Sequence, residues 1–177
     1  MSNNERLPSG DSASAPTQCQ ANPSHLILVV DDDLAVRELS AQVLIPSGYR
    51  VDTAEDGAAG WESLHAHNYD LLITDHNMPK ISGVELIRKL RSAQMTLPVV
   101  LVSGDIPTEE LDRNPSLQLA ATLPKPFSPD ELLRTVKQVL RATERAYVHT
   151  QSYFAAMKGT ATERTVESGG SMNAPLV

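Results

Sequence analysis

The chain reads as an α/β protein, a doubly wound five-stranded parallel sheet with helices on both faces. Three observations predict it. Five short runs of residues, each too short for a helix, alternate with segments whose apolar residues recur at helical spacing. Most of these runs are apolar throughout, as strands buried on both faces require. Residues able to do chemistry, the run Asp31-Asp32-Asp33, then Asp75, Ser103 and Lys125, each stand just beyond one of the runs. In an open parallel sheet the groups past the carboxyl ends of the strands share one crevice, so these residues are predicted to meet.

Leu26 to Val30 is the first strand. Asp33 caps the helix that follows, where Val36, Leu39, Val43 and Leu44 fall at helical spacing and Pro46 with Gly48 ends the run. Arg50 to Ala54 is the second strand and residues 56 to 67 the second helix. Residues 71 to 74 form the third strand, and residues 84 to 90 a helix opened by Ser82 and Gly83. Residues 99 to 102 make the fourth strand, after which Thr108 can cap a short helix from Glu109 that Pro115 interrupts. Residues 119 to 124 are the fifth strand. Ser128-Pro129-Asp130-Glu131 is a strong helix start, followed by the stripe Leu132, Leu133, Val136, Val139 and Leu140. Periodicity alone leaves the order of the strands open.

At 177 residues, 41% of them apolar, the chain fits one domain with tail to spare. Residues 1–24, rich in Ser, Asn, Pro and Ala, read as a disordered tail, residues 25–141 as the domain, and residues 142–177 as an extension, helical to about 158 and then disordered. Of the net charge of −7, residues 25–141 supply −6, from 17 acidic and 11 basic side chains. Nucleic-acid binding needs a basic face, so nucleic acid is not an expected partner. No apolar run approaches the roughly 20 residues of a membrane span, and the N-terminus lacks the apolar core of a signal peptide, so a cytoplasmic location with no membrane partner is expected. Cys19 is the only cysteine, which excludes an internal disulfide.

Two or three carboxylates at one strand end repel by about 4 kcal/mol per pair at 4 Å for an effective dielectric of 20. Such a cluster calls for a cation or a shifted pKa. Hard oxygen donors in a partly hydrated crevice suit Mg²⁺, which binds through one or two carboxylates and keeps room for a phosphate. An aspartate can then accept a phosphoryl group, with Lys125 neutralising charge on its oxygens and the Ser103 hydroxyl donating to one of them.

The strings LILVVDDD, LLITDHNMP, VLVSGD and LPKPF, in this order, resemble the receiver domains of two-component response regulators over residues 25 to about 141. The resemblance implies a flavodoxin-like sheet of order 2-1-3-4-5. It also implies that Asp75 is the phosphorylated aspartate, accepting from a histidine kinase or a histidine phosphotransfer protein, and that the protein is no enzyme in its own right. Asp31, Asp32, Asp75 and the main-chain carbonyl of Asn77 would be the protein ligands of Mg²⁺, Ser103 the switch hydroxyl, Lys125 the phosphoryl contact and Pro126 a cis proline. Phosphorylation would draw Ser103 inward and bias the surface of the fourth and fifth helices and fifth strand toward a partner. The family's coupling aromatic residue, three positions before the lysine, is here Thr122, and the positions that tune phosphoryl lifetime are Asn77 and Asp105.

His76, His65, His67 and Trp61 read as adaptable polar or packing residues. Beyond Leu140, Tyr147, Phe154 and Met157 extend a broken stripe at near-heptad spacing that Gly159 would stop. Low apolar density favours a frayed tail; the alternative is a helix for homodimerisation or for a partner's groove. The 36 residues after Arg141 show no recognition-helix pattern, so a fused DNA-binding domain is not expected. Two other functions fit parts of the pattern. A phosphohydrolase would use Asp31 and Asp33 as a D-x-D with Asp31 as nucleophile, leaving Asp75 idle, and a phosphorylation-independent interaction module would explain Thr122.

Overall fold

The computed structural model describes residues 25–105, Leu111 and residues 113–162, with side chains in the last helix described to Thr150 and at Ser152. The predicted tails at 1–24 and 163–177, Cys19, the helix start at Thr108 and Glu109, and the side chains of Phe154 and Met157 lie outside the described residues.

The elements are β1 (Leu26–Val30), α1 (Leu34–Leu44), β2 (Arg50–Ala54), α2 (Gly57–Ala66), β3 (Leu71–Asp75), α3 (Gly83–Ser92), β4 (Val99–Ser103), a 3₁₀ turn at Pro115–Leu117, β5 (Ala121–Pro124) and α4 (Pro129–Thr162). The strands form one sheet of order β2-β1-β3-β4-β5, every pairing parallel, which is the order the family resemblance implies. Side chains alternate across the sheet at the two-residue period of extended backbone. Ile27, Val29, Leu71, Ile73, Val100, Val102 and Leu123 pack on one face with Leu44 of α1 and Leu132, Val136, Val139 and Leu140 of α4. Leu28, Val30, Leu72, Val99 and Leu101 fill the other face with Leu64 of α2 and Val84, Leu86, Ile87 and Leu90 of α3.

The helix starts follow from local polar chemistry. Asp33 accepts from the Ala35 N–H at 2.8 Å as the cap of α1, and Asp56 caps α2 through the N–H groups of Ala58 and Ala59. Ser82 and Glu85 close a reciprocal capping box on α3.

Three expectations need correction. β3 and β4 each run one residue further than predicted, so Asp75 and Ser103 are the last residues of their strands. β5 begins at Ala121 instead of residue 119, because the preceding chain turns through left-handed Gln118 and gives the Leu117 and Gln118 carbonyls to the Arg91 guanidinium. Finally, α4 continues past Gly159 to Thr162. An interior glycine costs a helix about 1 kcal/mol relative to alanine, too little by itself to end it. Burial stops much sooner: among the described side chains of α4, Leu140 is the last buried one, and residues 141–150 are all exposed.

Candidate functional site

Strand parity builds the site. The row of Ile27 and Val29 in β1 continues to Asp31, that of Leu71 and Ile73 in β3 to Asp75, and that of Leu123 in β5 to Lys125. All three polar groups therefore leave the sheet on the face covered by α1 and α4, at its carboxyl edge. Ser103 belongs to the opposite row, after Val99 and Leu101.

The three same-face groups converge. Lys125 Nζ lies 2.7 Å from Asp31 Oδ2 and 2.6 Å from Asp75 Oδ1. The second oxygen of each carboxylate accepts a backbone N–H, from Asp33 to Asp31 at 2.9 Å and from Asn77 to Asp75 at 2.7 Å. Both carboxylates are buried, with Asp31 only 2% and Asp75 5% exposed. Burial pushes the Asp31 carboxyl above its ordinary pKa, and the Lys125 hydrogen bond and charge offset this only in part. For Lys125, burial alone would lower the pKa, but hydrogen bonds and charge from Asp31 and Asp75 outweigh it and hold the ammonium up. The ammonium thus marks the point where a cation balances two buried carboxylates.

The remaining predicted residues are placed less centrally. Asp32 is exposed beside Asp31. Among the described residues no three His, Cys, Asp or Glu side chains group closely enough to hold a metal by themselves. The converging Asp31 and Asp75 oxygens still fit a hard divalent cation, whose remaining positions would need main-chain carbonyl, water or phosphate oxygens. The Ser103 hydroxyl is turned into its own loop, donating to the Asp105 carbonyl at 2.6 Å and accepting the Asp105 N–H at 3.2 Å. The Lys125 N–H donates to the Ser103 carbonyl at 2.8 Å, so the two strand ends are joined although the hydroxyl is not engaged with Asp75. The Lys125–Pro126 bond is cis, as the resemblance implies. Thr122 is exposed on β5. Nδ1 of His76, next to Asp75, is buried without a hydrogen-bond partner.

Sequence reasoning missed Asp56 and Lys80. Buried Asp56 takes the Lys80 ammonium on one oxygen while the other caps α2. The available signal was Asp56-Gly57 as a helix start, which says nothing of a partner 24 residues away.

The model of the response regulator receiver domain matches residues 27–137. The chain belongs to the response regulator receiver family. This receiver is 39% identical over 120 residues to response regulator MprA of Mycobacterium ulcerans, covering 67% of this chain and 51% of that protein. It is 34% identical over 135 residues to the alkaline phosphatase synthesis transcriptional regulatory protein PhoP of Bacillus subtilis, covering 75% and 55%. The chain spans about half the length of the curated relatives it matches. Among solved structures, the chemotaxis response regulator CheY4 of Vibrio cholerae superposes with a TM-score of 0.61 at 29% identity, over 66% of this chain and 98% of that one. Response regulator TrrA of Thermotoga maritima, solved in complex with Mg²⁺-BeF, gives 0.58 at 33% identity, over 65% and 98%. The receiver is thus a module of two-component signalling, whose family works by phosphorelay.

Proposed function

We propose that this receiver accepts a phosphoryl group on Asp75 from a histidine kinase or a histidine phosphotransfer protein, with Mg²⁺ as cofactor. It signals by phosphorylation-dependent protein contacts or by passing the phosphoryl group on. The observation that supports this best is the convergence of Lys125 on Asp31 and Asp75 at the strand ends. A carboxylate oxygen of Asp75 forms the new O–P bond as the P–N bond of a phosphohistidine donor breaks, and the imidazole nitrogen leaves with the electron pair. Lys125 already stands within hydrogen-bond reach of the attacking carboxylate, where it can follow the phosphoryl oxygens. Asp31, Asp32, Asp75 and the Asn77 carbonyl would hold Mg²⁺, which supplies positive charge against the transferring group. Ser103 would exchange its loop partner Asp105 for a phosphoryl oxygen, the motion that reports phosphorylation.

In this reading residues 25–141 are the receiver and residues 142–177 an extension that takes no part in the chemistry. None of the described helices is long and apolar enough to cross a membrane, consistent with a cytoplasmic site of action beside its kinase. The test is intact mass after incubation with Mg²⁺ and acetyl phosphate, for wild type and Asp75→Asn, with an EDTA control. One phosphoryl adduct that needs both Mg²⁺ and Asp75 is expected; an adduct that persists in Asp75→Asn would overturn the assignment. Turnover of a phosphate ester that depends on Asp31 but not on Asp75 would instead indicate a phosphohydrolase.

A further inference from the structure

The loop of residues 76–82, which carries Asn77 from β3 to α3, is held at two points. At its end, Gly83 lies against the acceptor strand: a Cβ there would sit 2.0 Å from the Asp75 carbonyl oxygen, and the Gly83 N–H donates to the His76 carbonyl at 3.0 Å. In its middle, the Lys80 ammonium reaches Asp56, whose side chain is only 4% exposed although that of Lys80 is 63% exposed. The second hold extends to the backbone, since a Cβ on Gly57 would meet the Ile81 carbonyl oxygen at 2.3 Å. Lys80 itself has φ 66°, a left-handed conformation that glycine adopts freely and a residue with a side chain does not. A lysine at such a position is explained by what its side chain does. The Asp56 hydrogen bond, then its charge, with Glu55 and Glu62 adding to the field, holds the Lys80 pKa up.

We infer that Asp56 and Lys80 are positioning residues for the acceptor loop, clamping it to the start of α2 so that Asn77 stays beside Asp75 and the cation site is preformed. The inference rests on the proposed roles of Asp75 and Asn77. Loss of the clamp leaves both carboxylates in place but lets the Asn77 N–H and carbonyl drift, which weakens cation binding in the way outer partners of metal ligands do.

The test compares wild type with Lys80→Gln, Asp56→Asn, Lys80→Gly and Lys80→Arg by two readouts: calorimetric titration with Mg²⁺ alone, and amide exchange at Asn77. Asp56→Asn keeps a side-chain oxygen for the α2 cap, and Lys80→Gly relieves the backbone conformation, so neither variant depends on a strained fold. Lys80→Gln, Asp56→Asn and Lys80→Gly should each weaken Mg²⁺ binding about tenfold and speed exchange at Asn77 while α3 amides stay unchanged. Lys80→Arg should restore both. Unchanged affinity and unchanged Asn77 exchange in Lys80→Gln and Asp56→Asn would overturn the clamp. If wild type binds no Mg²⁺, the proposed cation site itself fails, and Asn77 exchange alone decides the clamp.

Discussion

Asp31 and Asp56 are buried carboxylates at the same edge of the sheet, yet their surroundings drive their ionisation in opposite directions. Desolvation dominates at Asp31 and raises its pKa, while the Lys80 hydrogen bond and two helix N–H groups lower that of Asp56. A raised carboxyl pKa favours the fold at low pH, and that stability is lost as pH rises through the folded value. Asp31→Asn is therefore expected to raise the melting temperature at pH 7 without Mg²⁺, with the advantage shrinking on acidification. A lowered pKa works the other way, giving stability above the ordinary carboxylate range that is lost as pH falls through the folded value. Asp56→Asn should melt earlier than wild type at pH 7, and the gap should close in acid. Thermal unfolding of both variants between pH 7 and pH 3 checks the opposite slopes. Asp31, Asp75 and Lys125 were legible in the sequence because strand ends collect them whatever the loops do. The Asp56–Lys80 contact was not, because it depends on a left-handed turn at a lysine, which residue type does not suggest.

At the scale of elements, two contacts hold the site's frame. Gly83 brings the start of α3 onto the Asp75 backbone, and a methyl group there has no space. Gly83→Ala should cost about 3 kcal/mol, the upper range for forced overpacking, and should impair labelling at Asp75. Arg91 at the end of α3 donates to the carbonyls of Met95, Leu97, Leu117 and Gln118, joining the approaches to β4 and β5. Arg91→Met leaves those acceptors without their cationic donor and should cost about 3 kcal/mol by urea unfolding. Arg91 also explains the late start of β5. Apolar residues at 117 and 119 extend a strand pattern, but carbonyls committed to a guanidinium cannot join the ladder.

At the scale of the molecule, the alternation of five strands and intervening helices was readable from spacing, whereas the strand order needed family resemblance, because pairing is a long-range property that no local pattern encodes. The C-terminal helix shows the converse limit. Its 34 residues span about 50 Å at 1.5 Å per residue, but among the described side chains the core takes none beyond Leu140. Exposed positions such as Tyr147, 67% exposed, continue the apolar stripe only weakly, so the helix was legible to about residue 158 while its end at Thr162 was not. Removing residues 146–177, which spares the Glu144 contact to His25, should leave phosphoryl acceptance at Asp75 intact, as intact mass after labelling with Mg²⁺ and acetyl phosphate would read. The central assignment is tested most directly by locating the phosphoryl group itself. After labelling with Mg²⁺ and acetyl phosphate, borohydride reduction converts an aspartyl phosphate to homoserine, and peptide mass spectrometry reads its position. Homoserine at residue 75 and at no other aspartate is the predicted result; homoserine at residue 31, with Asp75 intact, would contradict it.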